Sequence, residues 1–145
     1  DGSDIEVPVI TLDSEPAMLP MMIFEQDDPT QLRTYQEKRD LVGNPGYCIK
    51  RFDDQEIGAR IVDYTRRMAD IFRPFDYGRF EFRVDHMTGD VRLLEVNLNC
   101  NLWSEKLFSR SAVAAGFTHA SLIETIVAES MLRQIAPAAA QRSAA

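Results

Sequence analysis

The sequence predicts an α+β domain: an antiparallel sheet with flanking helices, packed on one of its faces. Three observations predict it. Two apolar, β-rich runs at Tyr77–Val84 and Val91–Leu98 are separated by the turn cluster Asp85-His86-Met87-Thr88-Gly89-Asp90, the clearest hairpin signal in the chain. A β-branched run at Ile5–Leu12 supplies a further strand. Between these strands, Ile57, Ile61, Tyr64, Met68 and Ile71 recur at helical spacing. The 145 residues are enough for one domain with a core.

The first strand ends at the turn cluster Asp13-Ser14-Glu15-Pro16. The next apolar run, Met18–Phe24, contains Pro20, which has no N–H for a ladder; the run is expected to be an edge or bulged strand in a hairpin with the first. Gln26–Pro45 is polar and reads as a long functional or disordered loop. Tyr47–Phe52 is expected to be a short strand. Asp53 or Asp54 caps the following helix, which runs to about Phe72, with Arg66 and Arg67 in its later part and Pro74 just past its end. After the hairpin, Asn97–Lys106 is a polar loop and Ser109–Ala115 a short helix stopped by Gly116. Thr118 caps a last helix that buries Leu122, Ile123, Ile126, Val127 and Met131. The expected domain spans residues 1–135, and the Pro/Ala/Ser-rich residues 136–145 read as a disordered tail.

The formal net charge of -7 argues against binding to nucleic acid or an anionic membrane, both of which favour a basic face. It leaves room for a small phosphate ligand, which needs only a few local cations. No apolar run has the length of a membrane span, and no secretory pattern is present. A cytoplasmic location is expected, with Cys48 and Cys100 reduced. His86 and His119 do not stand at zinc-ligand spacing. The chain begins at Asp1 rather than Met, so it reads as a fragment whose functional site extends upstream.

The hairpin carries the chemistry. With its turn centred on Thr88, Phe80 faces Val96 and Phe82 faces Leu94, apolar pairs that would line the core. The opposite face then carries Arg79, Glu81, Glu95 and Asn97, with Glu81 opposite Glu95 and Arg79 opposite Asn97. Like charges directly opposite repel and raise one pKa unless a cation intervenes. A hard divalent cation suits the oxygens of Glu81, Glu95 and Asn97, and magnesium is the usual one where phosphates complete the shell. Two alternatives stand beside this: a solvated face on which Arg79 and Arg83 satisfy both glutamates, and a register slipped by one residue.

The pattern Gly78-Arg79-Phe80-Glu81, a hairpin, then Leu94-Glu95-Val96-Asn97 resembles the metal-binding signature of the ATP-grasp ligases. Ala114-Ala115-Gly116 and the helix containing Leu122-Ile123 resemble the end of the D-alanine–D-alanine ligase branch; the likeness runs from Gly2 to Ile135. It implies the C-terminal half of such an enzyme. Glu81, Glu95 and Asn97 would hold two magnesium ions on the phosphates of ATP, and Arg79 would contact the transferred phosphate or the tetrahedral intermediate. Tyr35–Arg39 resembles the family's mobile loop, with Lys38 as the lysine that closes over the γ-phosphate. Gly2-Ser3-Asp4 resembles the element whose acid contacts the ATP ribose, so Asp4 is the candidate.

The implied reaction transfers phosphate from ATP to a carboxylate, giving an acyl phosphate that an amine then attacks. Three departures bear on the substrate. Glu81 stands where the branch has Asp. Leu98-Asn99-Cys100-Asn101 stands where it has Pro-Gly, leaving the Asn101 backbone N–H to complete an oxyanion hole. Lys106-Leu107 stands where Ser-Leu catches the acceptor's carboxylate, a role lysine also suits. Trp103 would either line the acceptor pocket or pack. Cys100 reads as an inert small residue rather than a nucleophile. The implied partners are ATP, a small carboxylate, an amine and the N-terminal half in cis or in trans; homodimerisation stays open. The rivals are a non-catalytic remnant or binding module with this fold, and a different ATP-grasp ligase or carboxylase.

Overall fold

The computed structural model describes residues 2–25 and 48–143. They form six strands and three helices in the order β1 (Gly2–Leu12), β2 (Glu15–Met18), β3 (Met22–Glu25), β4 (Cys48–Arg51), α1 (Gln55–Phe72), β5 (Tyr77–Asp85), β6 (Val91–Asn97), α2 (Leu107–Ala114) and α3 (His119–Ser143). The sheet is antiparallel throughout, in the order β4-β3-β1-β5-β6, and β2 also pairs with β1. The α+β class expected from the sequence is therefore what the structure has. The segment from Gln26 to Pro45, with Lys38, lies outside the described residues.

Pro20 does more than demote a strand. The expected run Met18–Phe24 breaks at Leu19-Pro20-Met21 into β2 and β3, which share one edge of β1: Val9–Leu12 pair with β2, Asp4–Glu6 with β3. β1 begins at Gly2, earlier than expected, because it pairs with β5 over its length from Gly2 opposite Asp85 to Ile10 opposite Tyr77. Glycine is required at position 2, since a Cβ there would lie 2.3 Å from the Val84 carbonyl oxygen.

One face of the sheet presents Ile5, Val7, Val9, Phe80 and Phe82, all fully buried, to α1. Phe80 also meets Phe72 and Phe75 edge-to-face, each at 6.4 Å between ring centroids. The helix starts where expected, with Asp54 Oδ1 accepting the Ile57 N–H at 2.9 Å. We expect Asp54→Ala to lower stability by about 1 kcal/mol, the usual worth of such a cap, read as a shift of the urea midpoint with an unchanged slope.

Three packing expectations are corrected. The buried stripe of α1 is Gly58, Ile61, Thr65 and Ala69; Tyr64 sits at the margin and Ile71 is 78% exposed. Of the five expected residues, Ile61 is fully buried and Ile57 and Met68 pack partly buried against the same core. On α3, Leu122 and Ile126 are buried, but Val127 and Met131, one turn apart on another side of the helix, are half exposed, while Glu129 and Arg133 still reach the domain. Its backbone continues to Ser143, through the alanine-rich stretch after Ala136 whose composition suggested a disordered tail; alanine is the best helix former. Finally, the helices do not share one face. α2 and α3 pack with Ile10 and Leu19 through Phe108, Ala112, Leu122 and Ile126, on the side of β1 opposite α1. No single helix among the described residues is long and apolar enough to cross a membrane.

Candidate functional site

The face of the sheet turned away from α1 is where the charges gather. Alternation along β1 puts Asp4, Glu6 and Pro8 on that face, between the core residues Ile5, Val7 and Val9. Register then assembles three cross-strand rows. Glu6 lies opposite Glu81, and Glu81 opposite Glu95; Pro8 lies opposite Arg79, and Arg79 opposite Asn97; Asp4 lies opposite Arg83. The expected pairings of Arg79 with Asn97, Phe80 with Val96 and Glu81 with Glu95 are those of the structure.

Beyond Glu81 the hairpin departs from expectation. The register shifts between Glu81 and Phe82, so that Phe82 faces Leu93, and Leu94 is the extra residue of a bulge, 49% exposed rather than in the core. The bulge reconciles two demands: the acidic pair stays aligned while the turn closes with Gly89 at a φ of 68°. Such a bulge beside aligned functional side chains is a common device.

Electrostatics follow from burial. Glu6 is 1% and Glu81 3% exposed. Arg79 bends back between them: its Nε lies 2.8 Å from Glu81 Oε1 and 3.0 Å from Glu6 Oε2, and its Nη2 also donates to Glu81 Oε1. One guanidinium cannot neutralise two buried carboxylates. Burial, then the charge of Glu6, pushes the Glu81 carboxyl up to about 7; Arg79 opposes this, and a hydrogen bond shared with Glu95 adds to it. Burial works against the charge on Arg79, but Glu6 and Glu81 outweigh it and hold the guanidinium above its ordinary pKa. The alternative of a face satisfied by arginines thus describes half the site: Arg79 does bind Glu81, yet an excess of negative charge remains.

Among the described residues, no group of three or more His, Cys, Asp or Glu side chains is placed to hold a metal ion by itself. The donor set is two carboxylates and an amide, which fits a hard cation that completes its shell with phosphate and water. Asn97 Oδ1 accepts the Asn99 N–H at 3.0 Å, which orients the amide and leaves its second lone pair.

The other candidates are distributed around this centre. Asp4 is buried and accepts from Arg83 Nη1 at 2.8 Å, so a ribose would have to share it with Arg83. The side chain of Asn101 accepts the Trp103 N–H at 2.7 Å, shaping the loop after β6. Lys106 stands at the N-terminus of α2, its Nζ 6.0 Å from the centroid of the half-exposed Trp103 ring. Leu107, the first residue of α2, is 2% exposed and packs with Met22 and Phe24. Cys100 is buried, with its thiol pushed up to about 11 by that burial. In a Cys48→Ser background, the native protein should therefore resist a thiol reagent at pH 7.5 and react fully once unfolded; rapid native labelling would contradict this burial. A cleft of about 460 Å³ lies elsewhere, between Thr11, Pro16, Phe75 and Leu132, and none of the site residues lines it.

Glu6 is the residue that sequence reasoning missed. Its alternation with Ile5 and Val7 already placed it off the core face, but the signal had no meaning until β1 was known to lie beside β5.

The sequence matches no family model and no curated protein. Solved structures do resemble it. A D-alanine–D-alanine ligase from Bacillus anthracis complexed with ATP superposes with a TM-score of 0.68 at 18% identity, covering 92% of this chain and 39% of that one. A second structure of a D-alanine–D-alanine ligase from the same organism gives 0.67 at 19%, covering 92% and 41%. D-alanyl-alanine synthetase A from Vibrio cholerae O1 gives 0.66 at 16%, covering 88% and 38%. The chain thus spans about two fifths of the length of these ligases. By its sheet, its flanking helices and this likeness, the chain has the fold of the corresponding two fifths of these D-alanine–D-alanine ligases.

Proposed function

We propose that this chain is the metal- and phosphate-binding half of an ATP-dependent carboxylate–amine ligase, similar to the D-alanine–D-alanine ligases. The single observation that carries the reading is the alignment of Glu81 with Glu95 across β5 and β6, with Arg79 and Asn97 in the next row, on a ligase fold. A carboxylate oxygen of the donor acid attacks the γ-phosphorus of ATP, the bond to the bridging oxygen breaks, and ADP leaves an acyl phosphate. The amine then attacks the acyl carbon, the amide forms, and inorganic phosphate departs. Arg79 points its charge at the transferred phosphate, where negative charge is concentrated in the transition state. Glu81, Glu95 and Asn97 would hold two magnesium ions, whose chemistry is to neutralise and orient the phosphates. Lys38 closes over the γ-phosphate, and Asp4 meets the ribose. Asn101 offers a backbone N–H to the acyl oxygen, and Lys106 with the Leu107 backbone receives the acceptor's carboxylate.

The rest of the ATP clamp comes from sequence outside this chain, in cis or in trans, and the protein works in the cytoplasm, with a homodimer open to it. The substrates are an amino acid or similar small carboxylate and an amine. Lysine at position 106 in place of serine favours an acceptor that is itself anionic.

The test is phosphate release from ATP by the complete protein with a panel of amino acids and amines. Release that needs both a carboxylate and an amine supports the ligase. ATP binding without release on any pair would favour the non-catalytic reading, and bicarbonate-dependent release a carboxylase.

A further inference from the structure

Beyond the ligands assigned above, we infer that Glu6 is a positioning residue, whose carboxylate clamps the Arg79 guanidinium and holds it in place when a divalent cation draws Glu81 away. The inference rests on the reading of Arg79 as the phosphate-facing cation, and it is carried by the geometry of the row Glu6–Glu81–Glu95.

Arg79 has two carboxylate partners, and they are not equivalent. Glu81 sits on the middle strand of the row, next to Glu95, and is the one a cation would share with Glu95. Glu6 sits on β1, two strands from Glu95, or about 9–10 Å across the sheet at ordinary strand spacing. An ion held by the adjacent Glu81–Glu95 pair takes its oxygens from β5 and β6, and Glu6 is the carboxylate of the row that this pair does not use. Glu6 therefore remains available to Arg79 when Glu81 is not. Its Oε2 lies 3.0 Å from Arg79 Nε, the same nitrogen that lies 2.8 Å from Glu81 Oε1, so the guanidinium is already shared. The Nε–H is directed at Glu81 Oε1 while Glu6 Oε2 holds the guanidinium by charge, so the transfer re-aims that N–H from Glu81 to Glu6.

Burial makes the clamp rigid. Glu6 is 1% exposed, flanked by core residues Ile5 and Val7, and fixed by strand pairing on both sides, to Met22 and to Glu81. A fully buried glutamate is retained only where a partner compensates its desolvation. Without Glu6, the cation and Arg79 would compete for Glu81, and the guanidinium would lose its fixed aim. Fixed aim is what a preorganised charge contributes to a transition state.

The experiment compares Glu6→Gln with the parent in the complete protein. We expect kcat to fall about 10–100-fold, the usual range for a residue that orients another, with KM for ATP changed less than about threefold, because uniform binding is untouched. In an Arg79→Lys background, which keeps the charge and removes the shared Nε, the same substitution should lower kcat less than about threefold. By arginine-selective NMR with magnesium present, the Arg79 Nε–Hε signal should be single and slow to exchange in the parent and broadened in Glu6→Gln. A parent-like kcat and an unchanged signal in Glu6→Gln would overturn the inference, as would a loss of activity equally large in the Arg79→Lys background. Should Glu6→Gln fail to fold, Glu6→Asp keeps the charge one methylene short; it should move the Arg79 signal and lower kcat by a smaller factor, and no movement of either overturns the clamp. The NMR signal decides the clamp even if no ligase activity is found, so failure of the proposed function and failure of the clamp are separate results.

Discussion

Replacing Glu95 with glutamine is expected to reduce ligase turnover roughly a thousandfold, the scale seen when one preorganised electrostatic group at a reacting phosphate or acyl centre is removed. The stability of the protein should hardly change. Glu95 is exposed on the edge strand β6, and substitutions at such positions usually stay within about 0.5 kcal/mol. Its counterpart Glu81 is buried one strand away, so the two carboxylates of the pair separate function from folding. Glutamine keeps the length and one oxygen of the side chain but removes the charge, and a hard cation loses most of its attraction to the site. The measurement is phosphate release together with thermal unfolding on the same preparation. Turnover at the parent rate would end the metal assignment, and a large loss of stability would mean that Glu95 is a structural partner of Glu81.

The second large effect concerns Glu81 and has a definite sign in pH. In the folded protein its carboxyl is pushed up to about 7 from an ordinary value of 4.5, first by burial and then by Glu6. Below about pH 4.5 the group is protonated in both states and its favourable contribution is complete. As pH rises, the unfolded chain releases the proton first, and the contribution is lost as pH passes through about 7. The gap corresponds to about 3 kcal/mol at most. Glu81→Gln imitates the protonated form, so at pH 8, without magnesium, it should be more stable than the parent by about 1–3 kcal/mol. Near pH 5 the advantage should shrink towards zero. Magnesium at pH 8 should stabilise the parent and leave the variant unchanged, since a ligand stabilises only the state that binds it. Urea unfolding at pH 5, 6.5 and 8, with and without magnesium, reads all of this. A variant less stable than the parent at pH 8 would mean that the ion pair with Arg79 outweighs the repulsion.

These two residues also show where sequence reasoning succeeded. Glu81 and Glu95 were paired from alternation and a turn centre alone, because in an antiparallel hairpin the loop sets the register of the strands that leave it. The same reasoning placed Phe82 against Leu94 and was one residue off there. A bulge is decided by how β6 accommodates the twist and the turn together, and a periodic pattern carries no trace of it. Helix positions told a similar story. Asp54 was legible as a cap, since capping is local, whereas the choice of Ala69 over Ile71 for the core depends on which side of α1 meets the sheet.

By itself, the sequence determined the local chemistry: which runs are strands, where helices begin, and which carboxylates a hairpin brings face to face. Those outcomes depend on neighbours a few residues away, or on a single turn. Only the tertiary structure decided that β1 lies against β5, that Glu6 completes the acidic row, that Arg79 is shared between two carboxylates, and that helices cover both faces of the sheet. Strand order brings together residues some 75 positions apart in the chain, Glu6 and Glu81, and the choice is made by burial of the whole sheet rather than by any property of either residue.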